Sequence, residues 1–478
     1  MKVVLISTYE MGRQPFGLAS PAAWLKRAGA EVCCCDVSRQ PLNEAAVRAA
    51  DLVAFYTPMH TATRLAARLA PRVRKLNPRA HLCFYGLYAP VNEEFLRGLG
   101  AGTILGGEFE PALVALAKRL EAGRAGPQEE PRISLDRLRF VPPDRSGLPP
   151  PREYARLVVP GQERRITGYT EASRGCKHLC RHCPIVPIYG GRFRVVDREV
   201  VLEDIRRQVA AGARHITFGD PDFFNGIGHS IAIVRRLHEE FPNLSYDVTI
   251  KVEHLLMHHQ HLATLRDTGC LFVTSAAESV DDRVLALLDK GHTRQDFLEA
   301  VRLCRQASLT LAPTFVAFTP WTTQQTYRAL LACIAEQDLI PNVAPIQLAI
   351  RLLIPAGSRL LELPDVLSII GEFDRAALSY RWTHPDPRMD ELCRRIQSLV
   401  KRREAQGATR EAIFREVWRL AGQNGCRVYD GEAELRTSQV GGELGGRDGP
   451  EAPAIQPPDD RDRIGRAAIP YINEPWYC

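Results

Sequence analysis

Three cysteines, Cys176, Cys180 and Cys183, lie in the run Ser173-Arg174-Gly175-Cys176-Lys177-His178-Leu179-Cys180-Arg181-His182-Cys183-Pro184, spaced Cys-x3-Cys-x2-Cys. Three thiolates on one tight loop can hold three corners of an iron–sulfur cubane and leave the fourth iron without a protein ligand. That open iron can chelate a molecule bearing an amine and a carboxylate. Such clusters can be poised at the low potential that breaking a sulfonium C–S bond requires. A zinc loop is the alternative, but zinc sites normally show four ligands in paired groups, and no partner pair stands nearby. Cys270 and Cys304 read as core cysteines.

The triad resembles the signature of the radical S-adenosylmethionine (SAM) superfamily, in which this spacing follows the first strand of a partial barrel. The resemblance implies a 4Fe–4S cluster on Cys176, Cys180 and Cys183, SAM as cosubstrate, and an external electron donor of flavodoxin or ferredoxin type. His182 stands where the family usually has an aromatic residue and can still pack beside an adenine. Gly219 and Asp220, in His215-Ile216-Thr217-Phe218-Gly219-Asp220, occupy the place of the motif that meets the amino group of SAM; a turn cap is the other reading. Glu278, in Ser275-Ala276-Ala277-Glu278, matches the position that meets the ribose hydroxyls, or is a solvated carboxylate at a strand end. Arg351, ahead of Pro355-Ala356-Gly357, is expected either to pair with the SAM carboxylate or to face outward. Lys251 is a weaker alternative for the same task.

Ahead of the triad, Tyr85-Gly86-Leu87-Tyr88 and Ile104-Leu105-Gly106-Gly107-Glu108 resemble the glycine turns bordering the corrin in cobalamin-binding radical SAM enzymes. Gly86, Gly106 and Gly107 would let backbone approach a large planar cofactor. No Asp-x-His-x-x-Gly motif is present, as is usual in that class. The alternative is a domain that keeps the fold and binds no corrin.

These residues require elements to carry them. In 1–121, short apolar runs at Val3–Ser7, Glu31–Cys35, Leu52–Tyr56, Leu82–Tyr85 and Thr103–Leu105 alternate with amphipathic stretches, predicting a doubly wound α/β domain with ligands at its strand ends. Alternation in Cys33-Cys34-Cys35 would bury the outer two and turn Cys34 the other way. Residues 122–160, rich in Pro, Gly and Arg, read as a linker. In 161–385, candidate strands Gly168–Ala172, His215–Phe218, Ser245–Ile250, Leu271–Ala276, Thr310–Phe315 and Val343–Ile350 predict a partial (β/α)6 barrel. Residues 386–429 read as a helical appendage and 430–478 as a flexible tail. The fold class is therefore α/β, a cobalamin-binding-like domain followed by a partial barrel.

The composition is that of an ordinary soluble protein, with 45% apolar and 25% charged residues and a formal charge of +6 over 478 residues. No nucleic-acid partner is indicated. No apolar run is long enough to span a bilayer, and no signal-peptide pattern opens the chain, so a cytoplasmic protein with reduced thiols is expected.

The tail ends in Glu474-Pro475-Trp476-Tyr477-Cys478, and a polar linker of roughly thirty-five residues with a span of about 30–35 Å could bring Cys478 to an active-site mouth. A frayed terminus is the alternative. The ending resembles the approach to the Cys-Cys-Ala-Glu-Pro or Cys-selenocysteine-Ala-Glu-Pro tail of certain radical SAM proteins, which implies that the gene could continue through a selenocysteine codon.

The reaction expected from the resemblance is reductive cleavage of SAM to modify a small molecule. Three other readings stay open beside it. One is transfer of the 3-amino-3-carboxypropyl group of SAM to trivalent arsenic, as in arsinothricin biosynthesis, with a metalloid as substrate. The others are cobalamin-dependent methyl transfer and a non-catalytic iron–sulfur regulator. RNA modification ranks lower, since no RNA-binding domain is evident after residue 385.

Overall fold

The computed structural model describes residues 1–124, 126–422 and 469–473. Its N-terminal sheet contains β1 (Lys2–Ser7), β2 (Glu31–Asp36), β3 (Leu52–Tyr56), β4 (His81–Tyr85), β5 (Thr103–Gly107) and β6 (Ile133–Ser134), all parallel, in the order β2-β1-β3-β4-β5-β6. Continuous apolar runs form these strands because both faces are covered. Val3 and Leu5 point to the side of the helices Phe16–Arg27 and Glu110–Glu121, whereas Val4 and Ile6 point to the side of His60–Leu76. Strand order reverses beside β1, so the carboxyl ends of β1, β3, β4 and β5 border a crevice. β6 comes from the segment read as a linker. That segment is tied down further by Arg145, which bonds Gln14 of the first domain and Asp204 and the Tyr169 carbonyl of the second at 2.7–2.9 Å.

The second sheet is formed by β7 (Arg156–Val158), β8 (Arg165–Thr170), β11 (His215–Phe218), β12 (Ser245–Thr249), β13 (Cys270–Glu278), β14 (Thr310–Phe315) and β17 (Tyr471–Ile472). The hairpin β9 (Ser173–Gly175) and β10 (Phe193–Val195) stands apart from it, as does the hairpin β15 (Ile370–Asp374) and β16 (Ser379–Trp382). β8, β11, β12, β13 and β14 are parallel and curl into a half-barrel. The strand expected at Val343–Ile350 is not formed. 3₁₀ turns occupy Ile340–Asn342 and Pro345–Leu348, and one parallel bridge, Phe318 to Arg351, stands in the sixth strand's place. Pro341 and Pro345 cannot donate to a ladder, and the Gln347 side chain accepts the Phe315 N–H at 3.0 Å instead.

The helices Pro387–Ala405 and Arg410–Gly422 bury Leu392, Ile396, Ile413 and Val417 in the same core as the half-barrel. β15–β16 was not anticipated; it reaches the first domain, where Arg64 donates to the Ala376 carbonyl at 3.1 Å. β17 pairs antiparallel with β7, itself antiparallel to β8, so β17 runs toward the same end of the barrel as β8. No helix among the described residues is long and apolar enough to cross a membrane.

Candidate functional site

Cys176, Cys180 and Cys183 lie on the loop between β9 and β10, at the carboxyl end of the half-barrel. Gly175 begins this loop at φ +74°, where a Cβ would lie 2.4 Å from the Tyr189 ring and 2.5 Å from the Arg192 carbonyl, so only glycine fits. The Cys176 N–H donates to the Arg192 carbonyl at 3.1 Å, and the Cys183 N–H to that of Cys180 at 3.1 Å. Ser358, in the Pro355–Ser358 turn, donates to the Arg181 carbonyl at 3.2 Å, so the exit from the barrel holds the cysteine loop from outside.

All three thiols are free. Burial pushes Cys183 up to about 12, with Cys180 and Cys176 close enough to add to the rise, and burial also raises Cys176. Three soft, mutually close thiols on one pinned loop fit a cubane, whose irons would displace their protons.

Asp220 does not face this space. Its buried carboxyl accepts from the Ala172 N–H at 2.9 Å and the Ser173 hydroxyl at 2.6 Å, anchoring β9, and burial pushes it up to about 7. The expectation that it meets an ammonium group gives way to a structural role. Gly219 packs under Tyr169: a Cβ there would come within 1.8 Å of the phenol oxygen.

The acid that reaches the cysteine loop is Asp222, which sequence reasoning passed over although it lies two residues beyond Asp220. Burial would raise its carboxylate, but His178 and His254 outweigh that and hold it at about 2. His254 Nδ1 lies 2.6 Å away and His178 Nε2 3.5 Å away. One ligand-type atom from each of Cys176, His178 and Asp222 falls within 4.8 Å of the others. Lys251 also lies here, with Nζ 3.0 Å from His178 Nδ1 and 2.9 Å from Glu253.

On the other side of the loop, His182 Nε2 is 3.1 Å from the Glu278 carboxylate, and Lys290 Nζ is 3.4 Å from the same oxygen. β13 ends on Glu278 with a bulge, and Glu278 adopts φ +65°, a conformation that costs a side-chain-bearing residue about 1–3 kcal/mol. The bulge turns the carboxylate toward the loop. Burial alone would raise its pKa, but Lys290 and His182 outweigh it and hold Glu278 at about 2. A carboxyl depressed from 4.5 stabilises the fold above its unfolded pKa and loses that contribution as pH falls toward 2. The difference is about 3 kcal/mol. Glu278→Gln should therefore melt well below the parent protein at pH 7, and most of the gap should be gone by about pH 2.5. An equal gap at both pH values in thermal melts would remove the charge argument.

Arg351 is placed elsewhere. Its guanidinium lies 3.5 Å over the Trp382 ring, pairs with Asp390 and donates to the Trp382 carbonyl at 2.7 Å. The outward-facing alternative is the one observed, and Lys251 is the cation nearer the cysteine loop. Cys478 lies outside the described residues.

A cleft of about 190 Å³ lies between the two domains. Gly86, Leu87 and Gly107 line it on one side, and Glu171, Arg174 and Gly219 on the other. Gly86 at φ +113° and Gly107 at φ +69° hold turns that other residues rarely adopt. Gly106 is turned away from the cleft: its Cβ would press on Pro90 at 2.4 Å, so it serves packing.

Arg174, two residues before Cys176, crosses the interface. It meets Glu110 at 2.7 Å and Glu108 at 3.2 Å from the first domain, and Glu171 at 2.8 Å from the second. Burial raises Glu108 to about 7, with Arg174 opposing the rise.

Residues 170–326 match the family described as the radical SAM superfamily. The curated relatives include the tRNA-2-methylthio-N(6)-dimethylallyladenosine synthase of Desulfosudis oleivorans, 27% identical over 195 residues, covering 37% of this chain and 38% of that protein. An uncharacterized methyltransferase of Pyrococcus horikoshii is 24% identical over 212 residues, 44% of each chain. The chain thus spans less than half the length of these two relatives. Among solved structures, the radical SAM methyltransferase TsrM of Kitasatospora setae superposes with a TM-score of 0.55 at 18% identity, covering 71% of this chain and 72% of that one. The cobalamin-dependent radical enzyme OxsB superposes with a TM-score of 0.64 at 13% identity, covering 87% and 70%. With the cysteine loop, its half-barrel and these matches in place, residues 170–326 are a radical SAM domain, the family of which uses a 4Fe–4S cluster and SAM.

Proposed function

We propose that this chain is a cobalamin-dependent radical SAM enzyme that modifies a small molecule, by methyl or other group transfer. The observation that carries this reading is the cleft, which sets the glycine turns after β4 and β5 opposite the cysteine loop and its approach strand. The glycine turns bring backbone to the cleft beside the side chains of Tyr56, Leu87 and Phe109, a lining that suits a flat macrocycle, and the fold likeness to TsrM and OxsB supports the same arrangement. When bound, the cluster would supply an electron to the sulfonium of SAM and the corrin would carry the transferred group.

The chain's own residues would do the rest. Cys176, Cys180 and Cys183 hold three irons and leave one for the amine and carboxylate of SAM. Glu278, kept ionised by Lys290 and His182, accepts hydrogen bonds from the ribose hydroxyls. Lys251 offers its ammonium to the SAM carboxylate beside the loop. Arg174 and its three carboxylates seal the floor of the cleft. An external flavodoxin- or ferredoxin-type donor would deliver the electron.

The test is anaerobic reconstitution with iron, sulfide and hydroxocobalamin, then desalting, dithionite and SAM. The expected result is retained corrin absorbance, weakened in Leu87→Trp, which adds bulk to the cleft lining without replacing a glycine at positive φ, with S-adenosylhomocysteine or 5′-deoxyadenosine formed. Equal corrin retention by the parent and the Leu87→Trp variant, or none by either, would remove the cobalamin assignment. Methylthioadenosine formed only with arsenite would favour carboxypropyl transfer to arsenic. A loaded cluster that leaves SAM intact would favour a regulator.

A further inference from the structure

Cys33 and Cys35 take no part in the cleft. They alternate on β2, the outermost strand of the first sheet, and so share its face toward the helix Glu44–Ala49, while Cys34 turns to the opposite core. Their sulfurs are 3.9 Å apart and both thiols are free. Cys35 lies buried, Cys33 is half-buried above it, and the Asn43 amide points at Cys33 Sγ from 3.9 Å.

Geometry separates two uses for such a pair. A disulfide needs sulfurs about 2.05 Å apart and Cα atoms within about 6.8 Å, whereas alternate residues on a strand are about 6.6 Å apart, at the edge of that range. Two thiolates sharing one tetrahedral centre through bonds of about 2.3 Å stand about 3.75 Å apart. The observed 3.9 Å is the second spacing. We propose that Cys33 and Cys35 form a two-thiolate site for a soft, thiophilic centre, a metal ion or a trivalent metalloid, remote from the SAM chemistry.

The pair is prepared for such a ligand. The hydrogen bond from Cys35 and the amide of Asn43 outweigh burial and lower the Cys33 thiol, while the same pairing raises Cys35. With phenylarsine oxide as ligand, two S–H bonds and the As=O bond break, two As–S bonds form and water leaves, with no change of oxidation state. With zinc, both thiol protons are released and water completes the coordination shell.

The test uses the full chain with its cluster loaded, so that Cys176, Cys180 and Cys183 are occupied. One equivalent of zinc chloride, or of phenylarsine oxide in a parallel arm, is added before iodoacetamide. Alkylation of Cys33 is then followed by mass spectrometry of the tryptic peptide 28–39. Either ligand should slow alkylation about tenfold, as expected at ten times its Kd. The protection should vanish in Cys35→Ser and in Cys35→Ala, whose folding is checked by circular-dichroism melts. Protection by zinc alone identifies a metal site, and by the arsenical alone a metalloid site. Unslowed alkylation in both arms, or protection that survives loss of Cys35, would overturn the proposal.

Discussion

Cys180→Ala protein, reconstituted anaerobically beside the parent chain, should show no iron–sulfur absorbance and should turn over no SAM, while its melting temperature moves by only a few degrees. The expectation follows from geometry. Cys180 is buried on a loop whose other contacts are backbone hydrogen bonds and the anchors supplied by Asp220, Arg174 and Ser358, none of which involves its sulfur. Removing one sulfur from a small side chain costs about 1 kcal/mol, little beside those anchors. A cubane held by three thiolates, by contrast, loses a third of its protein ligands. The neighbouring ligand-type atoms, from His178 and Asp222, gather around Cys176. A Cys180→Ala protein that still cleaves SAM under dithionite would sink the assignment of the triad. Absorbance and nucleoside analysis on one sample report both halves of the expectation.

The second large effect lies at the interface. Arg174→Leu should destabilise the protein by about 3–5 kcal/mol, because it strands the buried carboxyls of Glu108 and Glu110, with Glu171 beside them, without their cation. The loss should depend on pH. Glu108 already sits at about 7 with the guanidinium beside it, and burial raises Glu171 as well. Without the cation both rise further. A carboxyl whose folded pKa exceeds its unfolded 4.5 favours the folded state at low pH and loses that advantage as pH rises through the folded value. The variant should therefore melt closest to the parent near pH 5 and fall away by pH 8. Thermal melts at those two pH values decide it, and a loss below 1 kcal/mol that ignores pH would show that the four charges do not act as a unit. Because Arg174 precedes Cys176 by two residues, the same variant should also loosen the cysteine loop and lower cluster retention.

Much of the fold was legible because its signals are local. Leu52–Tyr56 and His215–Phe218 are strands over the spans predicted for them and are buried along their whole length, as a strand covered on both faces is, while Thr310–Phe315, at the sheet edge, alternates buried and half-buried residues. The Val343–Ile350 run failed for an equally physical reason: apolar content said buried, but Pro345 within it, Pro341 just before it and a glutamine side chain moved the hydrogen bonds away from a ladder. β15–β16 was not read from the sequence; its side chains pack on Leu352, Ile354 and Leu360, and its turn reaches the distant residues Arg64 and Glu94.

The site divides the same way. The spacing of Cys176, Cys180 and Cys183 is a property of one loop, and the sequence by itself determined that three thiols would gather and what chemistry they could support. Which neighbouring carboxylates and cations face those thiols was decided only by the tertiary structure. Asp220 and Asp222 are indistinguishable as letters, yet one bonds β9 and the other meets two histidines beside Cys176. Arg351 and Lys251 are both cations near strand ends, yet one stacks on Trp382 and the other reaches His178. Spacing along a loop survives in the sequence because it is covalent. The direction of a side chain depends on sheet curl, a bulge at Glu278 and partners as far as 96 residues away, and these exist only once the chain has folded.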